Sequence, residues 1–326
     1  MRAGWKRLKP SASRFDMILG EAQAKGIPYG RFSQCFRYDY GITPLCNFYK
    51  GFQVLCRKVP MVQTLRQWSA EGDTARRVEK IKSADCLHNC RPHAHFSLYL
   101  LFYRRAQGFA MDEHVPESYC FYPSAPETSE TDGLRSAFEA AEKSGAGGAH
   151  NAWIMKPSDG CKGHHIQVQN NLDEMLAFLE SREKGSISYV VQRYIERPLL
   201  LHGGRKFDMR YWVLLDGRYN GYLYKDGVCR TSSVPFSMDD LGDRFVHLSN
   251  HCIQEEHEDY GVYEPTNEMF FEEFSKWLDA EHGDGAFAEK IVPQVTMLVR
   301  ETLLASKEKM FTVEHADYRA FNVFGP

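Results

Sequence analysis

Between Asn151 and Ser233 the chain sets cationic side chains among short apolar runs and glycine-bearing loops, and this stretch restricts the fold more than any other. Ala152-Trp153-Ile154-Met155 is a buried-type strand. It delivers Lys156 into the loop Pro157-Ser158-Asp159-Gly160-Cys161-Lys162-Gly163, and Ile166-Gln167-Val168 leaves as a second strand. A strand, a glycine-bearing loop and a returning strand make a flap whose amides and ammonium groups suit phosphate. The P-loop spacing Gly-x4-Gly-Lys-Ser/Thr fails here, as does Gly-x-Gly-x2-Gly before a helix. Farther on, period two puts Lys206, Asp208 and Arg210 on one strand face and Phe207, Met209, Tyr211, Val213 and Leu215 on the other. A cross-strand ladder of ion pairs is the bland alternative. Trp212 and Leu214 continue the charged face, which favours a partly enclosed site for a polyanion.

Neighbouring elements follow from local signals. Asn171-Leu172-Asp173-Glu174 is a capping box opening a helix to about Ser181, with Leu172, Met175, Leu176 and Leu179 on one face. Tyr189 to Ile195 reads as a strand ending in a polar hinge, where backbone groups near Gln192, Arg193, Tyr194 and Ile195 can meet an adenine edge; taken alone it is a core strand. Tyr219 to Tyr224, the turn Lys225-Asp226-Gly227 and Val228 to Ser232 read as a hairpin that positions Arg230.

A chain of 326 residues has room for two or three compact units. No run reaches the roughly 18 apolar residues of a membrane helix, and the start lacks the apolar core of a secretory signal, so a cytoplasmic address without membrane contact is expected. Nine scattered cysteines suit reduced thiols. Residues 1–60 hold eleven Lys or Arg against three Asp or Glu, whereas residues 234–289 hold fifteen acids against two bases. Such patches are usually solvated faces, but the basic one also suits an acidic partner. No RNP, zinc-finger or recognition-helix pattern supports nucleic acid.

Residues 1–69 read as a small α/β unit, with a helix opening between Pro44 and Tyr49 and another from Met61 to Trp68. Arg57-Lys58 just before it matters only if the fold brings the pair to the phosphate flap. Residues 70–110 read as an atypical, poorly ordered insert. Within it, Cys86, Cys90, His93 and His95 crowd into one short segment, whereas structural zinc sites usually draw two pairs from separated elements, so metal binding is disfavoured. Residues 111–150 read as a linker with a short helix from Gly133 to Lys143, and the glycine-rich run from Ser144 to Ala149 marks a boundary before residues 151–326.

Several runs together resemble the tubulin tyrosine ligase-like family, whose fold is the ATP-grasp. They are Trp5 to Leu8, Met17 to Glu21, Leu55 to Lys58, Pro116 to Tyr119, Arg205 to Arg210, Arg230 to Ser233, Leu248 to Gln254 and Asn267 to Phe274. The resemblance implies an α/β (α+β) fold, with a partial N-terminal tubulin-docking domain and the central and partial C-terminal ATP-grasp domains in residues 151–326. It implies ATP and Mg²⁺, with K⁺ as an optional further cation, and a monomeric, cytoskeleton-associated enzyme. This enzyme would join free tyrosine, through an acyl phosphate, to the C-terminal glutamate of the α-tubulin tail within the tubulin dimer. The run Asn267 to Phe274 favours tyrosine over glutamate or glycine as the amino acid added. A non-catalytic tubulin- or ATP-binding fragment is the alternative, and a tubulin glutamate ligase the weaker one.

Carried over position by position, the resemblance implies that Lys58, Lys156 and Lys206 hold phosphates, with Lys162 and Gly163 in the flap and Gln192, Arg193, Tyr194 and Ile195 at adenine. Asp208, Arg210 and Arg230 would serve ribose, γ-phosphate and acceptor, with Ser249 and Asn250 beside the nucleotide. In the family the acidic Mg²⁺ ligands and the last strands follow the Phe-Gly seen here at Phe324-Gly325. They are expected beyond Pro326, so no metal ligand is assigned and little ligase activity is expected of these 326 residues.

Overall fold

In a computed structural model, the protein is described over residues 17–18, 45–46, 49, 51–70, 114–145, 150–160, 162–182, 187–217, 219–310, 319–320 and 322–324. The Cys/His-rich segment and nearly all of the expected insert lie outside the described residues. So do Pro326 and the metal-binding acids expected beyond it. Strands β1 (Met17–Ile18) and β2 (Leu45–Cys46) pair in parallel. The helix expected to open at Pro44 is therefore a strand at Leu45 and Cys46, because the sheet takes up their backbone groups while Cys46 is buried with Tyr49 and Phe52. Helices follow at α1 (Gln53–Cys56) and α2 (Lys58–Ala70), the latter covering the stretch expected from Met61.

An antiparallel sheet is built from β3 (Ser118–Phe121), β4 (Trp153–Pro157), β5 (Gln167–Gln169) and β6 (Tyr189–Arg193), in the spatial order β3-β6-β4-β5. One face of it carries Trp153, Met155, Tyr189 and Val191. These are buried under Leu134 and Phe138 of α3 (Thr131–Ser144) and Met175, Leu176 and Leu179 of α4 (Leu172–Glu180). Burial of each such side chain is worth roughly 1.5–3 kcal/mol, so this back face is the anchor of the sheet. The α4 terminus forms as its capping box requires: the Asn171 side chain accepts from the Glu174 amide at 3.1 Å. Helix α3 ends at Gly145, whose φ of 66° closes the last turn in the left-handed region.

The second sheet departs from two expectations. Strand β7 (Arg205–Arg210) stops at Arg210, and β8 (Val213–Leu215) pairs instead with β9 (Gly221–Leu223) in a separate sheet. The charged face therefore does not continue through Trp212 and Leu214. Leu214 lies on the exposed side of β8, while Val213 and Leu215 are buried. Nor do β9 and β10 (Val228–Pro235) form a hairpin, since β10 pairs with β7 and with β11 (Glu268–Phe270). Gly227 is the reason. A Cβ there would lie 2.5 Å from the Arg210 carbonyl oxygen and 2.3 Å from the Phe271 ring, so this glycine lets the chain cross closely from one sheet to the other.

Behind the β11-β10-β7 sheet lie Phe207, Met209, Cys229 and Met269, packed on Phe271, Phe274 and Leu278 of a helix. Two single-turn helices, α5 (Arg244–His247) and α6 (His251–Gln254), precede that helix, α7 (Phe271–His282), and α8 (Val292–Met310) follows it. Strand β12 (Arg319–Ala320) pairs with β2, and β13 (Asn322–Phe324) with β8. Among the described residues no helix is long and apolar enough to cross a membrane.

Candidate functional site

The β3-β6-β4-β5 and β11-β10-β7 sheets each bury one face against helices, and polar side chains on their other faces meet, beside buried apolar ones that include Cys120, Ile154 and Val190. On β4 and β6, strand alternation that buries Met155 and Val191 puts Lys156 and Gln192 on the opposite face. There the Lys156 ammonium donates to the Gln192 side-chain oxygen at 2.8 Å, while the Gln192 amide donates to the Ser118 hydroxyl at 2.8 Å. On β7 the same alternation presents Lys206 and Asp208 opposite Phe207 and Met209. The Lys206 ammonium donates to the Tyr194 hydroxyl at 2.8 Å and to the His247 carbonyl at 2.9 Å, joining the second sheet to the end of β6.

Register then places Arg230 of β10 across from Asp208, and the two pair at 2.8 Å. The Ser249 hydroxyl makes a short hydrogen bond to the other Asp208 oxygen. Asp208 is thus held on both sides, with its single negative charge paired with Arg230. Arg210 lies farther along the same face, and its Nε is buried without a hydrogen-bond partner among the described residues. A buried donor left open costs about 1–3 kcal/mol and suits a site that receives an anion.

The flap lies against the start of α2 and against α6. The Lys58 ammonium, at the start of α2, donates to the carbonyls of Pro157 at 3.0 Å and Gly160 at 2.8 Å, and Arg57 pairs with Asp159 at 3.4 Å. The fold does bring the Arg57-Lys58 pair to the glycine-bearing loop. Lys162 is exposed, with its carbonyl accepting from the Cys252 thiol at 3.1 Å. Gly163, at φ 73°, sits where a Cβ would be 2.3 Å from Ile253 Cδ1 and 3.2 Å from Asn250 Oδ1. Asn250 in turn starts α6. Replacing Gly163 with Ala therefore pushes the flap off Asn250 and Ile253. The expected result is faster proteolytic cleavage after Lys162 and at least about fivefold weaker nucleotide binding, with strain of roughly 1–2 kcal/mol at the left-handed position. Unchanged proteolysis would argue against a docked flap.

Electrostatics sets this cluster apart. Burial, and then the Lys58 charge, brings Lys156 down to about 8. Burial, and then the Lys156 charge, brings Lys206 to about 8 against the opposing pull of Asp208. A bound polyphosphate would restore both ammonium groups to their full charge. Affinity for it is expected to fall as pH rises past about 8, by roughly fivefold per lysine between pH 8 and 9. Calorimetric titration at the two pH values reads this directly. Nucleotide-free stability runs the other way, because an unfolded lysine near 10.4 binds more protons in that window.

Other expected positions divide. Tyr194 joins the cluster through its hydroxyl and its ring, whose centroid is 4.7 Å from Lys206 Nζ. Arg193 does not join by its side chain. That guanidinium pairs with Glu117 at 2.8 Å and stacks on Trp153, because strand alternation turns it away from Gln192. The amides of Arg193 and Tyr194 are also spent, on the Glu117 and Ala152 carbonyls, whereas Ile195 is 58% exposed. The sequence reading missed His247 and Ser118, which orient Tyr194, Lys206 and Gln192. His247 sits on a single-turn helix, where no periodicity marks it; the one local signal is Asp243, which caps the turn by accepting from the Phe245 amide at 2.8 Å.

Similar proteins bear on this site. The model of the "Tubulin-tyrosine ligase family" matches residues 98–326, taking in both sheets and the flap. Tubulin glycylase 3B of Tetrahymena thermophila is 32% identical over 165 residues, which are 50% of this chain and 14% of that protein. Tubulin monoglycylase TTLL3 of Mus musculus is 33% identical over 171 residues, 50% of this chain and 18% of that protein. Tubulin glycylase 3B of Drosophila melanogaster is 38% identical over 110 residues, 33% of this chain and 14% of that protein. The chain thus spans less than a fifth of the length of these three relatives. With more than half its residues matched by the family model, and with the sheets that carry its clustered cations inside the match, the chain belongs to the tubulin-tyrosine ligase family.

Proposed function

We propose that this chain carries the nucleotide-holding part of an ATP-dependent ligase that joins glycine to a carboxylate of tubulin. The observation that carries the ATP reading is the convergence of Lys156 and Lys206, each brought to about 8, beside an aspartate already paired with Arg230. Cations gathered without matching carboxylates favour a polyanion. In this reading Lys156 and Lys206 hold phosphate oxygens, and Lys58 secures the base of the flap formed by Lys162 and Gly163. Adenine lies by Gln192, Tyr194 and Ile195. Asp208, Arg210 and Arg230 serve ribose, γ-phosphate and acceptor, with Ser249 and Asn250 under the flap.

The chemistry follows from the charges. A tubulin carboxylate oxygen attacks the γ-phosphorus and ADP leaves; the amine of the amino acid then attacks the acyl carbon and phosphate leaves. Lys156, Lys206 and Arg230 neutralise charge as it shifts between these oxygens. Mg²⁺ would supply further neutralisation across the phosphates. Among the described residues no group of three or more His, Cys, Asp or Glu could hold a metal ion. The acids expected beyond Pro326 lie outside those residues, so no ligand to Mg²⁺ is assigned.

Glycine replaces tyrosine as the proposed amino acid because the similar proteins are named tubulin glycylases. The basic residues before position 60 would face the acidic tubulin tail, which places the enzyme with the cytoskeleton. Incubating the chain with tubulin, ATP, Mg²⁺ and radiolabelled glycine, tyrosine or glutamate in separate reactions tests this. Glycine is the one expected to be incorporated, at the low level expected of these 326 residues. Incorporation of tyrosine or glutamate alone would reassign the amino acid, and ATP binding with no incorporation would leave only the nucleotide site.

A further inference from the structure

Lys206 is held by a chain of hydrogen bonds that runs away from the proposed nucleotide site and ends on a histidine. The Lys206 ammonium donates to the Tyr194 hydroxyl, and that hydroxyl lies 2.9 Å from His247 Nδ1. His247 Nε2 lies 3.0 Å from the Asp240 carbonyl oxygen, which can only accept. The ring proton therefore sits on Nε2, and Nδ1 is the acceptor for Tyr194. With its hydrogen given to Nδ1, the Tyr194 oxygen has its lone pairs free for Lys206. The His247 carbonyl takes a second ammonium hydrogen at 2.9 Å, so the same residue grips Lys206 from two directions.

We infer that His247, acting through the Tyr194 hydroxyl, is a positioning residue for the Lys206 ammonium, and that protonating its imidazole releases that grip. The inference rests on the reading of this cluster as a nucleotide site. A proton on Nδ1 removes the acceptor for Tyr194, turns the hydroxyl hydrogen toward the ammonium and adds a second positive charge behind it. The groups facing the ring set where this happens. Lys206 on β7 opposes the charge, whereas Asp240 in the preceding loop and Asp243 at the start of α5 favour it; Tyr194 and Phe236 present rings edge-on. Burial outweighs the two aspartates, and His247 lies below the ordinary histidine range. The residue also lines a cleft of about 740 Å³ with Asp239, Asp240, Asp243, Arg244 and His150, through which a proton can arrive.

ATP affinity measured by calorimetry from pH 5 to 7.5 on the native chain, His247→Asn and Tyr194→Phe tests the idea. Asn keeps an acceptor near the Nδ1 position and does not titrate. ATP has its own phosphate titration in this range, so the comparison between proteins is the readout. His247→Asn is expected to match native affinity within about threefold at pH 7.5 and to exceed it by roughly tenfold at pH 5. Parallel profiles for the two proteins would overturn the inference.

A second readout needs no nucleotide. The ¹³Cε resonance of Lys206 in labelled protein, assigned by its loss in Lys206→Met, is expected to titrate at about 8 in the native chain. It is expected to move lower in Tyr194→Phe and to stay in place in His247→Asn. A shift in Tyr194→Phe without ATP binding to any of the proteins would sink the nucleotide reading and leave the positioning role standing. ATP binding with a Lys206 titration indifferent to Tyr194→Phe would sink the positioning role alone.

Discussion

Replacing Lys206 with Met is expected to weaken ATP binding roughly ten- to a hundredfold while leaving the nucleotide-free protein as stable as before or more so. The two halves of this result come from the same geometry. Lys206 is buried beside Lys156, and its charge is offset only in part by Asp208. Without a ligand, Met removes a desolvated cation and relieves repulsion, and it loses only the bonds to the Tyr194 hydroxyl and the His247 carbonyl. With a ligand, it removes a charge-assisted hydrogen bond in a site shielded from water, worth about 1.5–3 kcal/mol. Lys156→Met should act alike through its contact with Gln192. The pair should be less than additive, since each ammonium raises the other when one is lost. Thermal melting with and without ATP separates this outcome from a merely structural lysine, for which stability would fall and affinity hold.

Glu264→Ala has the opposite signature: stability drops by roughly 3–5 kcal/mol, because the partner is a buried arginine left without its counter-charge. Arg205 is 1% exposed and donates to the Glu264 oxygens at 2.6 and 2.8 Å. Thr231 on β10 donates to the same carboxylate at 2.8 Å, and the Tyr263 ring centroid lies 4.0 Å from the Arg205 guanidinium carbon. This network ties the first residue of β7 to the middle of β10, one residue from Lys206 and from Arg230. Burial pushes the Glu264 carboxyl up, but hydrogen bonds from Arg205 and Thr231, with the Arg205 charge, hold it below its usual range overall. The stability it supplies is therefore present above the unfolded carboxylate range and is lost as pH falls through the lower folded value. Urea unfolding at pH 7 and pH 3.5 should show the gap between the native and Glu264→Ala proteins narrowing at the acid value. Substituting both partners with apolar residues should recover much of the loss.

Much of this arrangement is legible in the sequence because it follows strand alternation. Period two at Lys206-Phe207-Asp208-Met209 separates the charged front from the apolar back, and the apolar run before Lys156 marks a strand buried behind it. The capping box at Asn171 fixes α4 to within a residue. What escaped the sequence depends on contacts between distant segments. The break after Arg210 and the crossing at Gly227 are set by close approach to Phe271, which no local pattern announces. Alternation sets Arg193 and Gln192 on opposite faces of their strand, but only the contacts with Glu117 and Trp153 show which face the arginine takes. His247 lies 41 residues from Lys206 in the chain, and only the closed chain of hydrogen bonds shows what it holds.

ATP binding measured by calorimetry at pH 8.5 in two buffers of different ionisation heat tests most directly whether the facing fronts of the two sheets form a polyphosphate site. Two lysines near 8 in the free protein, restored to full charge by phosphate, require proton uptake on binding. That uptake should diminish in Lys156→Met and again in Lys206→Met. ATP binding of native strength in either variant, or heats that do not depend on the buffer, would contradict the account.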